Sequence, residues 1–274
     1  MTSVWRYRRP QSLEQALSFL ERQGAVIMGG GTRLNAGLVQ MCARAGQSEV
    51  GGVEIVDLQA LDLAGIERRD DAVVRIGAMT RLQELVDSHD VPSVVREAAR
   101  HELPSTLRAQ STIGGCIASG DPDGELLATL LVHDGQVHIA QRSGSVEIPL
   151  DELLAELPLA SGRIITAVSI DERGTSSLMG TGRSAADRPI VAVVARQLDG
   201  RRWVAITGVA ATPVLVKSTA VGSSSLLPSG DGPAASDPHG ISRLEPIGDF
   251  RGSSEYRRAL ARILAARATE AISR

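Results

Sequence analysis

Residues 111–131 read STIGGCIASGDPDGELLATLL. Gly114, Gly115 and Gly120 stand close together, Asp121-Pro122 follows, and Leu126, Leu127, Leu130 and Leu131 then recur at helical spacing. So much backbone freedom before a helix has two readings. One is a tight turn with no further meaning. The other is a place where main-chain N–H groups approach a negatively charged ligand, helped by the partial positive charge of a helix N-terminus. Asp121 reads as the N-cap of the following helix, with Pro122 at its first position.

A second glycine cluster lies upstream in VIMGGGTRLNAG, residues 26–37, directly after the short apolar strand pattern AVIM. Two such clusters suit a pyrophosphate approached from both sides by backbone amides. Two common nucleotide cradles are excluded by spacing. GxGxxG starting at Gly29 requires glycine where the chain has Leu34, and no GK[ST] follows the glycines.

The rest of the chain alternates short helices and strands. Ser12 to Gly24 reads as a helix opened by a Ser12–Gln15 capping box and stopped by Gly24. VEIVDL (53–58) reads as a strand, and GIERRDDAVVRIGAM (65–79) as a hairpin turning at Asp70-Asp71. Helices are predicted at about 81–88 and 92–101. QVHIAQ, SVEIPL and IITAVSI read as strands. RPIVAVVARQLDGRRWVAITGVA is a strand or helix, a turn at Asp199-Gly200, then a strand; its first arm is too apolar throughout to decide by period. Residues 217–240 are rich in Ser, Gly, Pro and Asp and read as an exposed loop. The chain ends in an amphipathic helix with Tyr256, Leu260, Ile263 and Leu264 on one face.

Composition narrows the function classes. The chain has 274 residues, 43% hydrophobic and 22% charged, with a formal charge of −3. That balance argues against sequence-independent nucleic-acid binding, and no stretch is apolar enough for a membrane span. The start carries no apolar core of the signal-peptide kind. Cys42 and Cys116 form no CxxC pair, which fits a reducing, cytoplasmic compartment. Two cysteines cannot supply the four thiolates of an ordinary iron–sulfur cluster. The scattered histidines give no metal-site spacing. Aromatic residues are only 2%, so a planar ligand would be held by aliphatic side chains and backbone.

TIGGCIASGDPDGELLATLL resembles the pattern TIGGNIAxAxPxxDxxPxLL of the FAD-binding medium subunit of molybdenum hydroxylases. That family includes the medium subunit of carbon monoxide dehydrogenase and the flavin domain of xanthine dehydrogenase. YRRPQSLEQAL, VIMGGGTRL, VVRIGAMT, GRSAADRPIVAVVA, TGVAATPVL and GSSEYRRALARIL resemble further family segments, in the family's order. The likeness covers nearly the whole chain except 217–245. It implies an α+β fold of the vanillyl-alcohol-oxidase, or PCMH, type. Residues 1–172 would form the FAD-binding domain, with subdomains of about 1–58 and 59–172, and residues 173–274 a C-terminal α+β domain with an antiparallel sheet, helices and the loop 217–245. It also implies a flavin that takes electrons from an iron–sulfur subunit, fed by a molybdenum-cofactor subunit, and passes them to NAD, a quinone or oxygen.

The resemblance assigns roles by position. Gly29, Gly30, Gly31, Thr32, Arg33 and Leu34 form the first pyrophosphate loop, with amides of Gly30 to Arg33 and the Thr32 hydroxyl as donors. Arg33 stands where the family often has Asp, Ser or Glu, and it either neutralises the diphosphate or points to solvent. Thr112, Gly114 and Gly115 form the second loop. Cys116 replaces a family Asn and reads as a small buried hydrophobe. Glu125 replaces a family Asp that bonds the flavin's sugar-like chain; as a first-turn acid it also suits the helix dipole. Ile164 or Ile165 matches an aliphatic residue at the ring system. Met179 falls where relatives have a lysine near the flavin. Arg183 and Asp187 match an R…D pattern that serves as an ion pair or a ligand contact. The leading expectation is an FAD-binding, electron-relaying subunit with no catalytic acid or base of its own. The rivals are a scaffold subunit that has lost FAD, and a stand-alone reductase similar to the cell-wall enolpyruvyl reductase.

Overall fold

The chain is described by a computed structural model that covers residues 6–22, 24–34, 53–69, 72–182, 187–218 and 240–273. Strands β1 (Arg6–Arg8), β2 (Ala25–Met28) and β3 (Glu54–Asp57) form a parallel sheet in the order β1-β3-β2. Helix α1 (Leu13–Leu20) packs on it. Ser12 Oγ accepts the Gln15 N–H at 3.2 Å, as a capping box requires, but the Gln15 side chain takes the N–H of Gln11. The helix ends at Leu20, about a turn before the expected stop at Gly24, and the chain then turns through Gly24 at φ +81°.

The second sheet is antiparallel, in the order β4-β5-β8-β6-β7. Its strands are β4 (Ile66–Arg68), β5 (Val73–Gly77), β6 (Gln136–Gln141), β7 (Gly144–Pro149) and β8 (Arg163–Asp171). The β4–β5 hairpin forms as expected; its turn at Asp70-Asp71 lies outside the described residues. Helices α2 (Leu82–Asp87), α3 (Ser93–Glu102), α4 (Ser105–Arg108), α5 (Ile113–Ser119), α6 (Glu125–Val132) and α7 (Leu150–Ala155) accompany this sheet. The apolar stripe of α6 is fully buried against α3 and the sheet, and each such leucine contributes about 2 kcal/mol of transfer free energy.

The third sheet, in the order β12-β11-β10-β9, is antiparallel throughout. It contains β9 (Thr175–Thr181), β10 (Val191–Leu198), β11 (Arg201–Ile206) and β12 (Val214–Ser218). The structure settles the first arm of the long apolar run as a strand. Val194 faces the core built around α6, while Val191, Val193 and Ala195 face the terminal helix α8 (Ser254–Ala271). Val191 to Ala195 are covered on both faces and apolar at every position, so no period survives in that part of the sequence. Asp199 and Gly200 both adopt positive φ in the tight turn to β11.

The terminal helix differs from expectation in which face it buries. Arg257, Ala261, Leu264, Ala265 and Ala268 face the sheet, while Tyr256 and Ile263 are exposed. Alanines let the helix approach closely, and Arg257 donates through Nη1 to the carbonyls of Ile190 and Gly208 at 2.9 and 3.0 Å and through Nη2 to Asp249 Oδ1 at 2.8 Å.

Arg196, toward the carboxyl end of β10, is fully buried. Its Nε donates to Arg173 O and its Nη1 to Val132 O, both at 2.9 Å; Nη2 lies 2.9 Å from Asp171 Oδ2, and the guanidinium sits over Trp203. Next to it, His133 bridges Asp171 O and Ser176 Oγ, and burial pushes its pKa down to about 4. These contacts join α6, β8 and the third sheet. Arg196→Ala would leave the carbonyls of Val132 and Arg173 without their donor and the half-buried Asp171 with Arg173 alone, and should cost about 2–4 kcal/mol. Urea unfolding of the purified chain measures this; a change below about 1 kcal/mol would show that the network does not hold the sheets together.

Candidate functional site

The first glycine loop leaves the carboxyl end of β2, the side of a parallel sheet where ligands gather. Its shape is set by contact with the segment 110–112. A Cβ on Gly30 would lie 1.9 Å from the Gln110 carbonyl oxygen, and one on Gly29 would lie 2.8 Å from Thr112 Oγ1. Gly31 has φ +71°, where a side chain would be strained. Thr32 Oγ1 and Ser111 Oγ are hydrogen-bonded at 2.9 Å. Among the described residues, no acceptor takes the main-chain N–H of Gly30, Gly31, Thr32 or Arg33. Leu34 is half-buried at the end of this stretch.

The second glycine cluster is not a loop. Thr112 is the N-cap of α5, with its Oγ1 accepting the Gly115 N–H at 3.2 Å, and Gly120 closes the helix in the left-handed conformation. The amides of this stretch are spent inside the protein. Ile113 donates to Thr80 O, Gly114 to Ala78 O and Cys116 to Thr112 O, at 3.0, 2.9 and 3.0 Å. The expected pair of amide pockets is therefore one run of free amides beside a capped helix turn. Gly114 is glycine because a Cβ would lie 2.8 Å from that of Ala78. Gly115 differs: it is exposed, and the one atom within 4 Å of its added Cβ is Thr112 Oγ1, at 3.2 Å. The two clusters thus meet around Thr112, with a side-chain-free surface at Gly115.

Arg33 takes neither of its expected courses. Its Nη2 lies 2.7 Å from Asp121 Oδ2 and 3.5 Å from Glu102 Oε1. Arg188 reaches the same two groups, at 2.9 Å and 3.6 Å. Asp121 is not the N-cap of α6, a place held by Gly124. Its Oδ1 instead accepts the Asp123 N–H at 3.0 Å while Oδ2 takes both arginines. Burial alone would raise Asp121; Arg188, the Asp123 N–H and Arg33 outweigh it and hold the carboxyl below its usual range. Glu102 is only 2% exposed. Burial pushes it up to about 7, against the pull of Arg188 and Arg33. Cys116 is buried nearby, and burial pushes its thiol up to about 12, so it stays neutral and packs as a small hydrophobe.

Glu125 opens α6, is buried, and faces His101 Nδ1 through Oε2 at 3.1 Å. Burial raises its pKa, and His101 partly offsets the rise. A Cβ on Gly180 would lie 3.2 Å from Glu125 Oε1, so β9 meets this carboxylate at Gly180. Met179 consequently points the other way, into the core beneath α8, because strand side chains alternate; it does not border the loops. Ile164 belongs to the core of the first sheet, and Ile165 to that of the second, both buried. Asp187 is exposed, and Arg183 lies outside the described residues.

Reading the sequence missed Glu102, His101 and Arg188. Glu102 did carry a signal: a carboxylate in the last turn of a helix opposes the helix dipole and needs a cation. Its raised pKa has a consequence for stability. The unfolded chain ionises Glu102 above about 4.5, whereas the fold keeps it protonated up to about 7. Stability from this group is present below pH 4.5 and is lost as pH rises to 7. Glu102→Gln should therefore match the natural chain at pH 4.5 and exceed it above pH 7, by about 3 kcal/mol. Denaturation midpoints at pH 4.5 and 8 test this, and an advantage that does not grow with pH would contradict it.

Residues 3–171 match the family described as the FAD binding domain in molybdopterin dehydrogenase. The chain is 34% identical over 161 residues to the YgfM protein of Escherichia coli K12, covering 56% of this chain and 58% of that relative's length. It is 30% identical over 272 residues to the nicotine 6-hydroxylase medium subunit of Paenarthrobacter nicotinovorans, covering 93% of this chain and 92% of that one. A solved carbon monoxide dehydrogenase chain from Hydrogenophaga pseudoflava, lacking the Mo-pyranopterin moiety, superposes with a TM-score of 0.79 over 99% of this chain and 98% of that one, at 24% identity. At that identity the superposition shows the fold, and the family match and the long medium-subunit alignment show the family. The chain belongs to the FAD-binding medium-subunit family of the molybdenum hydroxylases.

Proposed function

We propose that this chain binds FAD and relays electrons within a molybdenum hydroxylase-like complex. Electrons would arrive from an iron–sulfur subunit, fed by a molybdenum-cofactor subunit, and leave to an external acceptor. The observation that carries the reading is the run of free amides from Gly30 to Arg33 beside the bare surface of Gly115. Such a run offers donors to a diphosphate without a side chain in the way. The two cysteines of the sequence are too few to ligate an ordinary iron–sulfur cluster, which supports a cluster held outside residues 1–274.

In this reading Gly30, Gly31, Thr32 and Arg33 hold the phosphates through their N–H groups, and Gly29, Thr112 and Gly115 give the surface against which they lie. Glu125, oriented by His101, accepts from hydroxyl groups of the sugar-like chain. When bound, FAD supplies the electron-accepting ring, and the protein supplies binding and orientation. No side chain is assigned as general acid or base. Residues 1–172 carry the cofactor domain and 173–274 the C-terminal domain. Among the described residues no helix is long and apolar enough to cross a membrane, and a cytoplasmic location is part of the same proposal.

A second reading, a scaffold subunit without FAD, draws on the spent amides of Ile113 to Cys116 and on Arg33 turned to carboxylates. Adding FAD to the purified chain separates the two. The first predicts a bound yellow species with flavin absorbance; no such species, before or after FAD is added, would leave the scaffold. Gly115→Val should weaken FAD binding at least about tenfold, with unchanged far-UV circular dichroism, because the added branch fills the bare surface. Equal affinity in that variant would mean the site lies elsewhere.

A further inference from the structure

The two carboxylates between Arg33 and Arg188 belong to α3 and to the turn before α6, whereas the arginines come from distant parts of the chain. Arg33 sits on the glycine loop and so contributes both an amide to the loop and a guanidinium to the cluster. Arg188 leads into β10 and is delivered firmly. Its carbonyl oxygen accepts from Arg251 Nη2 at 2.7 Å, and Arg251 Nη1 reaches Asp123 at 2.6 Å. Arg188 Nη2 is buried without an aligned hydrogen bond, so it acts on Glu102 as a charge at 3.6 Å. Glu102 Oε2 in turn accepts the Leu126 N–H at 3.4 Å, one residue from Glu125.

We propose that Arg188 is a positioning residue for the FAD loop: by sharing Glu102 and Asp121 with Arg33, it keeps Arg33 on Asp121 and the amides of Gly30 to Arg33 turned toward the phosphates. The proposal rests on the FAD reading above. Without Arg188, the buried Glu102 and the half-buried Asp121 compete for one guanidinium. Either Glu102 takes up a proton or Arg33 is drawn inward and carries the loop with it.

The charged and titratable groups acting on Glu102 are Arg188, Asp121 and Arg33, with Cys116 close by. The thiol stays neutral; Arg188 also acts on Glu125 and Asp123, which Glu102→Gln leaves in place, so rescue by that substitution assigns the effect to Glu102. Arg188 lowers the pKa of Glu102, so without it the acid holds its proton to a higher pH than in the natural chain, and the conflict returns only as Glu102 ionises, above pH 7. The effect of the variant must therefore grow with pH.

FAD titration of the full chain, followed by flavin fluorescence at pH 6 and pH 8, tests this. Arg188→Ala should weaken FAD about tenfold at pH 8 and about threefold or less at pH 6. Adding Glu102→Gln restores one carboxylate per arginine and should return the affinity at pH 8 to within about threefold of the natural chain. Arg188→Lys keeps the charge but cannot fork to both carboxylates; it serves if the alanine variant does not fold, with about threefold loss at pH 8 and none at pH 6. A purely structural role would lower the melting temperature and leave affinity and its pH dependence unmoved, and that result overturns the proposal. If the natural chain takes no FAD, the functional reading falls and this proposal with it; if it binds and the variants bind equally, only the positioning role is lost.

Discussion

The close approach of Gly30 to the carbonyl of Gln110 is the constraint on which the rest of the site depends. No side chain fits there, since a Cβ would lie 1.9 Å from the oxygen. Backbone therefore packs on backbone where the parallel sheet meets the lead-in to α5. Gly114 repeats the device against Ala78 on the other side of Thr112. Two seams without side chains bring three segments within hydrogen-bonding distance, and the Thr32–Ser111 contact at 2.9 Å follows from them. The same choice of residue leaves the outer surface bare at Gly115, where an added Cβ would meet the Thr112 hydroxyl alone, at 3.2 Å. Dense packing inside and room for a ligand outside are thus met by one residue type at neighbouring positions.

A loop with unspent amides does not stabilise itself, and something else must hold it. Here the holder is the cluster of Arg33, Arg188, Asp121 and Glu102. Burying such charges carries a desolvation cost that their attraction recovers only with good geometry, and the raised pKa of Glu102 shows the cost directly. An apolar cluster of the same volume would pack as well but would tolerate many registers. Four ionisable groups from separate segments are matched in few arrangements, so the cluster gives up stability and gains a defined loop position.

Much of the fold was legible because it follows from short-range chemistry. Ser12 before an apolar stripe, alternation in QVHIAQ and IITAVSI, and Asp199-Gly200 between two strands each encode their own outcome. The site was less legible. Helix α5 was hidden because its glycines argue against a helix by propensity, while its Thr112 cap and Gly120 stop argue for one. Asp121-Pro122 carries a local capping signal, but two arginines distant in sequence compete for that carboxylate, and long-range charge pairing is not written in a local window. Met179 was placed by counting along the chain, and counting by one along a strand reverses the face. Ile164 and Ile165 are apolar in sequence and buried in fact, which leaves them to the cores of two different sheets.

The family match ends at Asp171, yet the acidic stretch 121–125 is met from beyond that point at every carboxylate. Asp121 is paired by Arg188, Asp123 by Arg251, and Glu125 is faced by Gly180. Helix α6, which carries this stretch at its start, lies between the second sheet and the third, with Val194 and Ala205 completing its core. The third sheet therefore does more than cover the cofactor domain. Its loops set the charge and the attitude of residues that lie within the matched domain, so substitutions near 188 and 251 act at the glycine loop through electrostatics rather than through contact with it.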